Sequence, residues 1–154
     1  DFPIKEPQPF SSKWCSHKHK RAGLRCEVGV CIQTGDIVWA YGPFAAGRWS
    51  DLKIFRCKLK GLLLANELVE ADGTCRDPKC RIAQDRYVSG TDRRARGKAR
   101  ARHETINKFF KQFGSMKQFF RHPLHKHKVC FNATVVLVQL AIRRGELAPF
   151  QVCY

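Results

Sequence analysis

The segment Leu24-Arg25-Cys26-Glu27-Val28-Gly29-Val30-Cys31-Ile32-Gln33 decides the fold class. Leu24, Cys26, Val28, Val30 and Ile32 fall at every second position and so share one face of an extended strand. Thr34-Gly35-Asp36 supplies turn residues, and Ile37-Val38-Trp39-Ala40-Tyr41 brings back β-branched and aromatic side chains. The pattern predicts an antiparallel hairpin, ended by Gly42-Pro43.

On its C-terminal side, Trp49 to Leu63 places Leu52, Phe55, Leu59 and Leu62 or Leu63 at helical spacing, with Ser50 as N-cap. Glu67 to Gly73 reads as a brief strand entering a glycine turn, which leaves Asp72 at the strand's C-terminal end. Residues 73 to 96 read as loop, most basic at Asp92-Arg93-Arg94-Ala95-Arg96. A long helix is expected from Gly97 to about Phe120, kinked or ended at Gly114-Ser115. Its apolar stripe is Ala99, Ile106, Phe109, Phe110, Phe113 and Phe120, and Glu104 lies away from that stripe beside Arg100 and Lys108. A second helix, His127 to Arg144, is apolar nearly all round and therefore expected at the centre. Residues 1 to 23 are polar and basic, an edge strand plus loop. The element order fits one α/β domain over residues 1 to 154, a mixed sheet flanked by helices.

Charge narrows the partner. Lys and Arg number 29 against 13 Asp and Glu, a formal net charge of +16, so a polyanion is expected: nucleic acid first, an anionic membrane second. Arg93, Arg94, Arg96, Arg100, Lys108 and Lys111 are the candidate nucleic-acid-binding residues. His122, His125 and His127 read as a solvated basic loop in preference to phosphate contacts. The apolar run Val129 to Ile142 is interrupted by Asn132, Thr134 and Gln139 and falls short of the roughly 20 residues of a spanning helix. With no secretory signal visible, the expectation is a nuclear or cytoplasmic protein whose eight cysteines are reduced. No C-x-x-C pair occurs, and structural zinc near Cys75 and Cys80, the closest spacing, is the minor reading. No helix-turn-helix, C2H2 finger or AT-hook is visible, so sequence-specific DNA recognition is expected from a separate domain or partner protein.

Two carboxylates, Asp72 at a strand end and Glu104 on a helix, suit Mg²⁺, since hard cations take carboxylate oxygens. From spacing alone the blander reading outweighs this: a turn residue, and a solvated partner of Arg100 or Lys108. Asp51, in Trp49-Ser50-Asp51, is more simply an acid favoured at a helix start.

The order of motifs changes the weighting. Nearly end to end, the chain resembles the DDE superfamily endonuclease domain of Harbinger-type transposases. The likeness rests on Lys13-Trp14-Cys15-Ser16-His17-Lys18, Gly23-Leu24-Arg25, Glu27-Val28-Gly29-Val30, Gly35-Asp36-Ile37-Val38-Trp39, Gly42-Pro43-Phe44 and Trp49-Ser50-Asp51-Leu52-Lys53-Ile54-Phe55-Arg56. It continues through Ala71-Asp72-Gly73, Arg100-Ala101-Arg102-His103-Glu104-Thr105-Ile106-Asn107, Phe110-Lys111-Gln112-Phe113 and Phe150-Gln151-Val152-Cys153-Tyr154. The resemblance implies a ribonuclease H-like fold and a metal-dependent DNA endonuclease. Asp72 and Glu104 would be its second and third catalytic carboxylates, holding Mg²⁺ or Mn²⁺. The family's first catalytic aspartate opens an Asp-Gly-Thr motif, and Asp1 stands where the residue after that motif would. The domain is therefore expected to be N-terminally truncated, with Asp1 as the remaining candidate metal ligand. Gly73-Thr74-Cys75 also departs from the family's usual Gly-Gly-Tyr. The alternatives are a catalytically inactive transposase remnant that binds nucleic acid or a partner, and a basic RNA-binding protein of ribosomal type, which would explain the charge but not the motif order.

Overall fold

The computed structural model describes residues 1 to 71, 75 to 82 and 90 to 145, and the chain is mixed α/β. The expected hairpin forms its backbone. Strand β3 (Arg21–Val30) pairs antiparallel with β4 (Ile37–Ala45), and two short strands, β1 (Phe2–Pro3) and β2 (Cys15–Ser16), pair antiparallel with the first residues of β3 on opposite sides of it. Gly42-Pro43 does not end the strand. β4 runs through it to Ala45, because a register shift between Arg25 and Glu27 absorbs the irregularity. Gly42 has φ 137°, and a Cβ there would sit 3.0 Å from the Arg25 carbonyl oxygen. Gly47 is needed for another reason: a Cβ would collide with the Ser12 carbonyl oxygen, so only glycine lets the chain pass beside the 3₁₀ turn Ser12–Trp14.

Helix α1 (Asp51–Cys57) is capped as expected, Ser50 Oγ accepting from the Lys53 N–H at 3.2 Å. It breaks at Lys58 before the short α2 (Leu59–Leu62). β5 (Val69–Ala71) is the expected strand before Asp72, but residues 73 to 96 are not all loop. β6 (Cys80–Ile82) pairs parallel with β5, and α3 (Gly90–Phe110) starts seven residues ahead of Gly97. It ends ten residues short of Phe120, and a single turn, α4 (Gly114–Lys117), follows. The parallel β5–β6 pair and the antiparallel strands β1 to β4 thus lie in two separate sheets among the described residues, with Phe120 making an isolated parallel bridge to Ile4.

α5 (Leu124–Arg143) is not buried all round. His127, Phe131, Thr134 and Val138 face inward, whereas Val129, Val136, Leu137 and Leu140 are exposed. The inward face meets Phe2, Ile106, Phe110 and Met116, with Cys26, Val28, Val30 and Ile37 of the hairpin packed against them. That is the face predicted by the alternation. Gln139, which interrupts the apolar run, fixes α5 to the turn: its Oε1 accepts from the Ile37 N–H at 2.6 Å and its Nε2 donates to Asp36. A second cluster, Phe55, Cys75 and Cys80 with Leu52, Leu59, Val69 and Ala71, joins the small sheet to α1 and α2. No helix of the described residues is long and apolar enough to cross a membrane.

Candidate nucleic-acid interface and carboxylate site

α3 is positioned by side chains that face the hairpin. Arg102 is 5% exposed and its Nη1 donates to the carbonyl oxygens of Ile32 and Gln33, while His103 Nε2 lies 3.1 Å from the Val28 carbonyl oxygen. Ile106 and Phe110 continue that inner side into the core. At about 100° per residue, positions 100, 104 and 108 then fall on the far side of the helix. Arg94, Arg100 and Lys108 are exposed there or nearby, as is Lys111 just beyond the helix end. Arg93 and Arg96 belong to the same helix, but their side chains lie outside the described ones. Along its 21 residues α3 carries seven Lys and Arg against two acids. The positive charge is therefore concentrated on one helix.

Glu104 is on this surface. Its side chain is 63% exposed and its Oε1 lies 3.5 Å from Arg100 Nε, an i,i+4 pair of the kind read from the sequence. Asp72 lies outside the described residues. Its neighbour in sequence is β5, which lies against α3.

Asp1 is committed elsewhere. Its side chain is 5% exposed; Oδ1 accepts from Arg25 Nε at 2.6 Å, and Oδ2 accepts from Arg25 Nη2 at 3.0 Å and Ser16 Oγ at 2.6 Å. Arg25 also donates to the Trp49 carbonyl oxygen at 2.8 Å and stands 3.3 Å from Asp51, which occupies the first turn of α1. Beside Asp1 opens a cleft of about 180 Å³, lined by Pro3, His19, Lys111, Met116 and Lys117. Burial, then the positive charge around it, holds the His19 pKa below its ordinary value.

The three histidines of the basic stretch separate. His122 and His125 are exposed, but His127 is fully buried, its ring 4.9 Å from that of Phe120 and 5.8 Å from that of Phe2. It is a core residue of α5, not part of a solvated loop. Among the described residues no group of three His, Cys, Asp or Glu could hold a metal ion. The structural roles of Arg25 and Arg102 were missed because both depend on partners distant in sequence.

No family model matches the chain, and no curated protein or solved structure matches it.

Proposed function

We propose that the chain is a ribonuclease H-like domain of DDE-transposase type that binds the phosphate backbone of DNA. The observation that carries this is the cationic outer side of α3, with Arg94, Arg100 and Lys108 exposed along it and Lys111 beyond its end. Cations held on one helix gain affinity by releasing counterions from the duplex, and this needs no base readout. Sequence-specific recognition is then the work of a separate partner.

A second reading is the metal-dependent endonuclease, favoured by the packing of β5 against α3, which brings the strand preceding Asp72 toward the helix bearing Glu104. Asp72 and Glu104 would hold Mg²⁺ or Mn²⁺, whose chemistry is to activate the attacking oxygen and neutralise the leaving one. The described donors do not fit a cation cage by themselves. Glu104 is paired with Arg100, and both Asp1 oxygens are taken by Arg25 and Ser16. We infer binding, not cleavage, for these 154 residues. The experiment is duplex binding at several salt concentrations, with and without Mg²⁺, alongside a nicking assay. Salt-sensitive binding without nicking is the expected result.

A further inference from the structure

Cys75 and Cys80 bracket the turn that enters β6. Both thiols are free and buried, 5% and 9% exposed, in the cluster around Phe55, Val69 and Ala71. Their Sγ atoms are 2.7 Å apart, inside the contact distance of two unbonded sulfurs. The turn between them is already held from one side. Asp77, its side chain wholly buried, accepts from Arg56 Nε at 2.7 Å and Lys60 Nζ at 3.0 Å, and its Oδ1 accepts from the Lys79 N–H at 3.1 Å. The two sulfurs therefore meet on a backbone that is fixed before any bond forms.

We propose that Cys75 and Cys80 form a reversible intramolecular disulfide that staples the turn into β6, directly after the segment containing Asp72. With oxidised glutathione as oxidant, one thiolate attacks a glutathione sulfur and expels glutathione thiolate. The second cysteine then attacks the mixed disulfide and expels glutathione from the protein sulfur. Two protein thiols lose two protons and two electrons, and one glutathione disulfide takes them up to become two glutathione thiols. Burial pushes the Cys75 thiol up to about 12 and raises that of Cys80, so the pair has no stabilised thiolate. Such a pair exchanges slowly with glutathione.

The test equilibrates the folded chain in glutathione buffers of increasing oxidised fraction, quenches with acid, alkylates in denaturant and digests after Lys and Arg. The peptide containing Cys75 should appear joined to Cys80-Arg81, about 2 Da lighter than the two reduced peptides together. It should become half-joined at a lower oxidised fraction than the one at which the exposed Cys57 takes up glutathione. In Cys80→Ser, the Cys75 peptide should be recovered alkylated or carrying glutathione. If Cys75 and Cys80 are both recovered singly alkylated in buffers where Cys57 carries glutathione, or joined to other cysteines, the proposal is overturned.

Discussion

Arg25 and Asp1 form a two-pronged ion pair across the β1–β3 edge, with Nε 2.6 Å from Oδ1 and Nη2 3.0 Å from Oδ2. The pair is mostly removed from water, at 16% and 5% side-chain exposure, so neither charge is hydrated if the other is lost. Arg25→Met should destabilise the chain by about 3 kcal/mol in urea titration, because it strands a buried carboxylate. Asp1→Asn, which keeps the side-chain shape and one acceptor oxygen while Arg25 retains the Trp49 carbonyl, should cost less. A loss under about 1 kcal/mol for Arg25→Met would mean that the pair is solvated.

The same pair bears on cleavage. Mg²⁺ or Mn²⁺ added to the 154-residue chain should produce no nicking of a labelled duplex above background, and Asp72→Asn and Glu104→Gln should leave that background unchanged. Metal-dependent nicking abolished by Asp72→Asn would show that the carboxylates do complete a working site.

Asp77 should govern stability in strong acid. The Arg56 and Lys60 side chains hold its carboxyl down to about 2, against an unfolded value near 3.9. Between those values the unfolded chain binds the extra proton, so the stabilisation is complete above about pH 4 and is lost as pH falls through about 2. Thermal melts of the wild type should fall across that window, and Asp77→Asn should be lower at neutral pH and flat across it. An identical fall in both would assign the effect to other carboxylates.

His127 should act in a higher window. Both ring nitrogens are buried without a hydrogen-bond partner among the described residues, and desolvation lowers its pKa to about 4, whereas the unfolded chain titrates near 6.5. The neutral ring's contribution is present above about pH 6.5 and is lost as pH falls through about 4. His127→Leu should remove that slope and raise stability by about 1 kcal/mol at pH 7, since an unsatisfied polar group is replaced by an apolar one of similar size. A destabilisation of similar size would point to a water bridging the ring.

The legible parts of the fold are those where local pattern and tertiary packing agree. The alternation marks the face that meets the helices from Leu24 to Val30, where β3 ends, and Ser50 marks the start of α1. β4 past Gly42-Pro43 was not legible, because a bulge relieves what proline and glycine normally interrupt. The first two turns of α3 carry no apolar stripe in sequence, and without a buried side helical period leaves no signal. The α5 sequence misled in the other direction: Val129, Val136, Leu137 and Leu140 read as core yet face outward. Of the candidate site, the Arg100–Glu104 pair followed from i,i+4 spacing. The engagement of Asp1 by Arg25 did not, because that contact spans 24 positions and only the sheet brings it together.

The most direct test of backbone binding through α3 is the slope of log affinity against log salt for a duplex, measured on the wild type and on a combined Arg94→Ala, Arg100→Ala, Lys108→Ala variant. If about six phosphates are neutralised, wild-type affinity should fall about a thousandfold between roughly 50 and 200 mM salt, equally for unrelated sequences. The variant's slope should be shallower by about 2 to 3, close to one for each cation removed. A wild-type affinity that ignores salt, or a variant with the wild-type slope, would contradict the assignment of the α3 surface to nucleic acid.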